Sequence, residues 1–495
     1  MADNGSGFTR RDFFRRASVV SLGAIAARGA YDLLDELGGN PVRAGAAATV
    51  RRREEQYLVD SVEVILDNGV TCAIPPIHND VITAKLASGR SWTTSALKSA
   101  QTRVEKALAL VEKPYPATAA GLTFVIGWGL PFFRTYLPQS LWSAKLPVDQ
   151  ALSSQTGSTQ YAVLDAIRFP SDPDGVLLED NHVMLKIRSD SSDILRSVEG
   201  ALFDNPSSGA YIGDLFDLTS KRIGFLGRGF STTSVGKQLA LAGGVPGADK
   251  IPDRAQLMLG FTSTQTAALG PDNLPSFETL PGVTNQFPSG YFAAGCAMHL
   301  SHLFLDLDLW YNGFGYDQRV ARMFSPHTPV PADPTTVTLP NGPADVSTKQ
   351  QVLADADGGL LGHNAPLQQA TRLAANVTDN YGRLRTKGTA VPLREDFNTI
   401  DNPFAWTTDP TRDNWASTAA AGMHFVAFVP ASSKFHGARL SMDGVLPDGT
   451  NLRQAPYNMT DANTGINAAM RASHRQNYLI PPRRHRSFPL VELLP

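Results

Sequence analysis

The stretch that most restricts how this chain can fold is residues 292–310, where a two-residue period runs through Leu303, Leu305, Leu307 and Leu309. That period puts the leucines on one face of a strand and the intervening residues on the other. His299 shares the leucine face, and His302 falls opposite with Phe304, Asp306 and Asp308. A strand with one apolar face must bury it against a second layer. Residues 121–127 and 424–429 read as further buried strands, and 182–188 alternates again. Residues 91–111, 191–202, 316–324 and 433–443 carry the texture of helices. No glycine fingerprint follows a strand, so the pattern points to an α+β sandwich of antiparallel strands rather than a doubly wound sheet. Two αβ halves are expected to meet somewhere between residues 205 and 253, with long loops over 326–350 and 398–416.

Charge and cysteine usage narrow the function classes. The 44 Lys and Arg residues nearly balance 46 Asp and Glu, which excludes a broadly basic nucleic-acid binder. Only Cys72 and Cys296 occur, too few for a disulfide framework or a cysteine-rich metal centre, and whether they pair is left open. No run reaches the roughly 18 apolar residues that a membrane-spanning helix needs. Neither a Gly-x-Ser-x-Gly elbow nor a His-Glu-x-x-His motif is present. The glycine-rich segment 243–250 lacks the Gly-Lys-Ser/Thr ending of a phosphate loop.

The N-terminus reads as an address. Thr9-Arg10-Arg11-Asp12-Phe13-Phe14 resembles a twin-arginine export signal; an apolar stretch over 17–27 and Ala44-Gly45-Ala46 complete it as a signal peptide over residues 1–46. The expected partner is the twin-arginine translocase, and the expected location is the periplasm, cell envelope or exterior. That route carries proteins already folded, often with a cofactor loaded, so a cofactor is worth seeking.

Read in order, the strands resemble those of the dye-decolourising haem peroxidases. Gly-Leu-Thr-Phe-Val-Ile-Gly-Trp at 121–128 is similar to their first conserved strand, and Glu-Asp-Asn-His-Val-Met-Leu-Lys at 179–186 to their second. Leu-Met-Leu-Gly-Phe at 257–261 resembles the approach to their Gly-x-x-Asp-Gly motif. Residues 295–310 resemble the long strand ending in Asp-Leu-x-x-Trp, and 422–428 the last core strand. The resemblance implies two ferredoxin-like halves, 47–230 and 231–495, with antiparallel sheets packed face to face in the manner of a dimeric α+β barrel. It places haem b in the second half and implies a peroxidase that uses hydrogen peroxide to oxidise a small organic substrate. Gly362-His363 stands where the family has its proximal iron ligand, and Pro392-Leu393-Arg394 resembles the distal-arginine segment. Phe261 and Phe304 would line the porphyrin edge, with His302 beside them.

The chain also departs from the family. Ser263 stands in place of the distal aspartate, and a hydroxyl can orient a water but not act as a carboxylate base. Ser301, His302 and Phe304 stand where the family carries arginines, some of which reach haem propionates. The alternative is therefore a haem-free fold relative acting as a binding or structural protein of the cell envelope. A non-haem metal site using His363 with His302 or His299 and an aspartate is a further option. His363 also reads as a structural histidine at a glycine turn, and Arg394 as a sheet-edge ion pair with Glu395 or Asp396. Trp310, Tyr311 and Tyr316 read as electron carriers or as core. Self-association is left open.

The export reading has a direct check. Replacing both arginines, Arg10→Lys with Arg11→Lys, should leave the precursor in the cytoplasm on cell fractionation, because a receptor reads the guanidinium pair rather than its charge. Unchanged export of the double variant would contradict the reading.

Overall fold

The first half builds itself around a helix whose sequence shows why it forms. Thr93 caps the helix Thr94–Glu112 (α1) by accepting from the Ala96 amide, and Leu97, Ala100, Val104, Ala107, Leu108 and Val111 fall on its one buried face. In the computed structural model, which describes residues 52–67, 70–229, 233–261, 272–330, 347–400 and 419–495, this helix lies between strands His78–Leu86 (β1) and Thr123–Trp128 (β2) in the chain. Val183–Ser189 (β3), the helix Ser192–Glu199 (α2) and Phe216–Phe225 (β4) follow. The four strands pair antiparallel in the order β4-β1-β3-β2.

The second half repeats that order with a different filling. Its strands are Cys296–Leu305 (β5), Phe397–Thr399 (β6), Gly422–Val429 (β7) and Met470–Ile480 (β8). They pair antiparallel as β8-β5-β7-β6. Between β5 and β6 lies, among other helices, Asn364–Thr371 (α3), and between β7 and β8 lies Ser432–Met442 (α4). Each half is thus a βαββαβ unit with its first strand inside the sheet, the ferredoxin-like arrangement.

Two further register contacts close the two sheets into one barrel. Leu479 on β8 pairs with Trp128 on β2, and Asn398 on β6 pairs with Phe225 on β4. Period two then sorts every strand into lumen and outer face. Val81, Val125, Met184, Met298, Leu300, Val426 and Phe428 form one apolar cluster in the lumen. Their neighbours Ile82, Phe124, Ile126, Leu185 and Ile187 pack outward with residues of α1 and α2, and Leu303, Leu305 and Met423 join a separate outer cluster in the second half. The two four-stranded walls therefore face each other across a shared core.

Charge is buried in that core. Glu395, just ahead of β6, accepts from the Arg188 guanidinium at 2.8 and 3.0 Å and lies 2.9 Å from the Lys186 ammonium. Both cations belong to β3 of the other half and are fully buried. Arg188 also donates to Thr123 Oγ1 and to the carbonyls of Gln56 and Tyr57. Burial works to raise the Glu395 carboxyl, yet Arg188 and Lys186 outweigh it and hold it below its ordinary range. Burial pulls the Lys186 amine down to about 8 against the pull of Glu395.

The structure shortens the long alternating strand. The two-residue period predicts strand over 292–310, but β5 covers only Cys296–Leu305. A turn closed by the Gly295 amide on the Phe292 carbonyl precedes it, with Ala294 left-handed at φ 69°. At the other end Asp306 accepts from the Leu309 amide through its side chain and from Trp310 through its carbonyl, starting the wide turn Leu309–Gly313. Past the strand the alternation is kept in part by packing: Leu307 joins the outer core, whereas Leu309 is exposed. The helix expected over 191–202 ends at Glu199 and widens into the turn Gly200–Asp204. Cys72 sits near Ile74 and Leu226 in a small cluster outside the barrel, Cys296 lies in the lumen, and both are unbridged.

Near the C-terminus, Arg483 and Arg486 clamp Glu112 at the end of α1, each with both guanidinium branches, and Arg52 lies 3.6 Å away. Burial opposes its ionisation, but the two arginines win and hold the carboxyl at about 2 instead of 4.5. A depressed carboxylate adds stability above its unfolded pKa and loses it as pH falls through the folded one. Stability should therefore drop by about 3 kcal/mol between pH 4.5 and 2 from this group. Urea unfolding across that window should show the slope, and Glu112→Gln should flatten it; an unchanged slope would contradict the assignment.

Candidate functional site

Glycine sets the entry to the first candidate residue. The segment around His363 threads between two others: the Leu361 amide reaches the Asn463 carbonyl, and the His363 amide reaches the Arg322 carbonyl at 2.7 Å. At Gly362 a β-carbon would lie 2.0 Å from the Phe324 carbonyl oxygen, so only glycine fits. This places His363 at the start of α3, which packs on α4. Its Nδ1 is enclosed and has no hydrogen-bond partner. Burial, then the Arg394 and Arg439 charges, push the imidazole down to about 3, so it is neutral at physiological pH.

Arg394 lies on the same outer side. Its two-residue strand, Leu393–Arg394, pairs with β7 opposite Phe428 and Ala427. Leu393 packs on the lumen cluster and Glu395 turns inward to Lys186 and Arg188, which leaves Arg394 facing out. The guanidinium is 56% exposed and pairs loosely with Asp396 at 4.0 Å. Glu395 is thus committed to the lumen, and the sheet-edge pair is with Asp396. Phe261 is buried against Trp310, Tyr316 and Phe324, the residue whose carbonyl crowds Gly362. His363, Arg394 and Phe261 therefore belong to the outer side of the second half. Ser263 lies outside the described residues.

His302 and Phe304 do not join them. His302 points into the lumen, fully buried, with Nε2 3.0 Å from Thr399 Oγ1. Phe304 follows the same face to the end of β5, in register with Gly422 and Arg471. A cofactor pocket shared by His363 and His302 would have to cross the sheet, because β5 is barrel wall. His299 takes the outer face, as the alternation requires. Its ring stacks on Phe435 at 3.5 Å, and its Nδ1 lies 2.7 Å from Asn477 Oδ1. Asn477 in turn donates to the Leu164 carbonyl and faces His436 Nε2. No group of three or more His, Cys, Asp or Glu among the described residues is arranged to hold a metal ion. Trp310 and Tyr311 are buried, donating to the carbonyls of Leu259 and Met258, as core residues do.

A second polar place lies inside the barrel. Val81, Thr83, Glu179, Arg222, Leu300, Ser301, His302, His424 and His474 converge there on a closely packed cleft that leaves no room for a water molecule. Ligand pockets for drug-sized molecules run to roughly 300–1,000 Å³, so the lumen as packed has no place for a tetrapyrrole. Sequence reading passes over Arg222, His424 and His474, since their convergence depends on strand register.

The family model described as "Family of unknown function (DUF7405)" matches residues 76–482. No curated protein matches the chain. Solved structures similar to it include a DypB variant from Rhodococcus jostii in complex with haem, at 11% identity and a TM-score of 0.44, covering 88% of this chain and 99% of that one. A DyP-type peroxidase from Cellulomonas bogoriensis is similar at 14% identity and a TM-score of 0.46, covering 88% and 94%. The encapsulated DyP-type peroxidase from Mycobacterium smegmatis is similar at 12% and 0.44, covering 84% and 96%.

The buried charges yield a stability test. Glu395→Ala leaves Lys186 and Arg188 uncompensated in the lumen and should cost about 3–5 kcal/mol in urea unfolding. Adding Lys186→Met and Arg188→Met should recover much of that loss. A cost under about 1 kcal/mol for the single variant would mean that the cluster does not join the halves.

Proposed function

The chain belongs to the DUF7405 family of unknown function, and we propose that it is an exported haem-binding protein of dye-decolourising peroxidase type. The observation that carries this reading is the half-buried, neutral imidazole of His363, whose enclosed Nδ1 has no hydrogen-bond partner, on the side of the barrel where Arg394 lies. Haem b bound there would supply the redox centre at which hydrogen peroxide is reduced and a small organic substrate oxidised. The residues present fit such a group in their donor chemistry. A neutral imidazole is the form that ligates iron, and burial with two nearby guanidinium charges keeps His363 neutral without a deprotonation step.

His363 would hold the group and, fixed by Gly362 and the Arg322 carbonyl, would present its ring from one direction only. Arg394 keeps a positive charge on the same side, where it would stabilise negative charge developing on a leaving oxygen. Ser263, where the dye-decolourising peroxidases have an aspartate, can orient a water but cannot take up a proton as a carboxylate does. The proposal includes passage through the twin-arginine translocase after folding, and two halves, 47–230 and 231–495, as its domains.

One observation favours the haem-free envelope protein instead: Arg394 is more than half exposed and already engaged with Asp396. Titrating the purified protein with haemin separates the two. Under the peroxidase reading a Soret band grows to one equivalent and His363→Ala abolishes it. Arg394→Leu should keep the band and slow the reaction with hydrogen peroxide by about 10²–10³-fold, as loss of a charge-stabilising group does. If the protein takes up no haemin, the peroxidase reading fails and the envelope reading stands.

A further inference from the structure

Three histidines meet across three adjacent strands of the barrel. The register pairs His302 on β5 with His424 on β7 and, on the other side, with His474 on β8. A bulge between Ala472 and His474 shifts β8 by one residue and so turns His474 inward. All three rings line the lumen, and none is more than 2% exposed. The centres of the His302 and His424 rings lie 5.5 Å apart.

The packing around that pair is closed. His302 Nε2 faces Thr399 Oγ1, and the approach is open because position 422 is glycine: a β-carbon there would lie 2.3 Å from the threonine oxygen. His424 meets Phe397 edge to face at 5.0 Å, and its Nδ1 has no hydrogen-bond partner. His474 differs, because its Nδ1 lies 3.2 Å from Glu179 Oε1 and a carboxylate is at hand. The cleft where the three rings converge leaves no room for a water molecule.

A proton is unwelcome in such a place. Burial, and after it the Arg222 charge, hold both rings well below the ordinary histidine range, and Lys186 adds to this at His424. The charged groups of the lumen around the pair are Arg222 on β4, Lys186 and Arg188 on β3, Glu395 and Glu179. Glu395 is engaged by Lys186 and Arg188, and Glu179 lies against His474. A proton on His302 or His424 would add one more positive charge that no water can hydrate. Strands that have parted let water reach the rings, so protonation favours the open barrel over the closed one.

We propose that His302 and His424 form an acid-sensitive latch: the barrel stays closed while both rings are neutral, and β5 and β7 part when the rings take up protons. A histidine held neutral in the folded state supports that state above its unfolded pKa and withdraws the support as pH falls. The loss therefore begins near pH 6.5, where a histidine in the unfolded chain protonates, and deepens below it. That window lies above the range in which Glu112 acts. The latch is separate from His363 and does not depend on the haem reading.

The test is amide hydrogen exchange of the full chain, without haemin, at about pH 7.5, 6.5 and 5.5, read at the register partners Leu300 and Val426 and corrected for the intrinsic rate. Protection at both should fall as pH falls, approaching about 100-fold per pH unit for the two protons in the limit. His302→Gln or His424→Gln, with the fold checked by circular dichroism, should make that fall shallower by about tenfold per pH unit, and the double variant by about 100-fold. An equal fall in the parent and the double variant would overturn the latch. If the variants do not fold, ring-nitrogen shifts of the ¹⁵N-histidine-labelled parent decide. Signals of His302 and His424 that stay neutral in the folded protein at about pH 5.5 support the latch; rings that protonate near pH 6.5 inside the folded barrel overturn it.

Discussion

A buried carboxylate ties the two halves of this barrel together through the lumen. Glu395 enters the lumen from the second half and meets Lys186 and Arg188 from the first, and all three side chains are buried. Remove it and two cations remain in an apolar cluster with Val81, Met298 and Phe428 nearby. The ladder contacts between the halves are sparse, with Leu479–Trp128 on one side and Asn398–Phe225 on the other. Buried charge and apolar contact across the lumen therefore add to the outer contacts between the halves, where Phe488, Leu490 and Val491 share a core with α1 and Arg483 and Arg486 hold Glu112. The same device fixes the outer side: with Glu395 turned inward, strand alternation leaves Arg394 no choice but to face outward toward the region of His363.

Part of this architecture is legible in the sequence because apolar faces write a period. β5, β7, β2 and β3 each pack an apolar outer face, so their alternation or apolar run survives as a pattern. β1 and β8 do not announce themselves. His78, Asn79, Asp80 and Thr83 are buried in β1, and Ser473, His474, Arg475, Gln476 and Asn477 in β8. Their polar side chains are satisfied by tertiary partners such as Asp172 for Arg475 and Leu164 for Asn477, and no local pattern encodes those. β6 is three residues long and exists only because β4 and β7 flank it.

The site divides the same way. Alternation alone separates His299 from His302, and the structure keeps them on opposite faces. His363 and Arg394 are 31 positions apart with loops and short strands between, so only family resemblance links them in sequence, and the charge of one reaching the ring of the other supplies a physical link. His424 and His474 have no sequence signal at all. They become a cluster with His302 only when register is known, and a one-residue slip would send them outward.

Native-state hydrogen exchange tests the claim that the two halves form one cooperative barrel closed through the lumen. The account predicts that the slowest amides of β1, at Val81 and Ile82, and of β5, at Met298 and Leu300, open with the same free energy. In Glu395→Ala both sets should fall together by the same amount. Protection that differs between the halves, or a loss confined to the second, would contradict it and describe two units that merely touch.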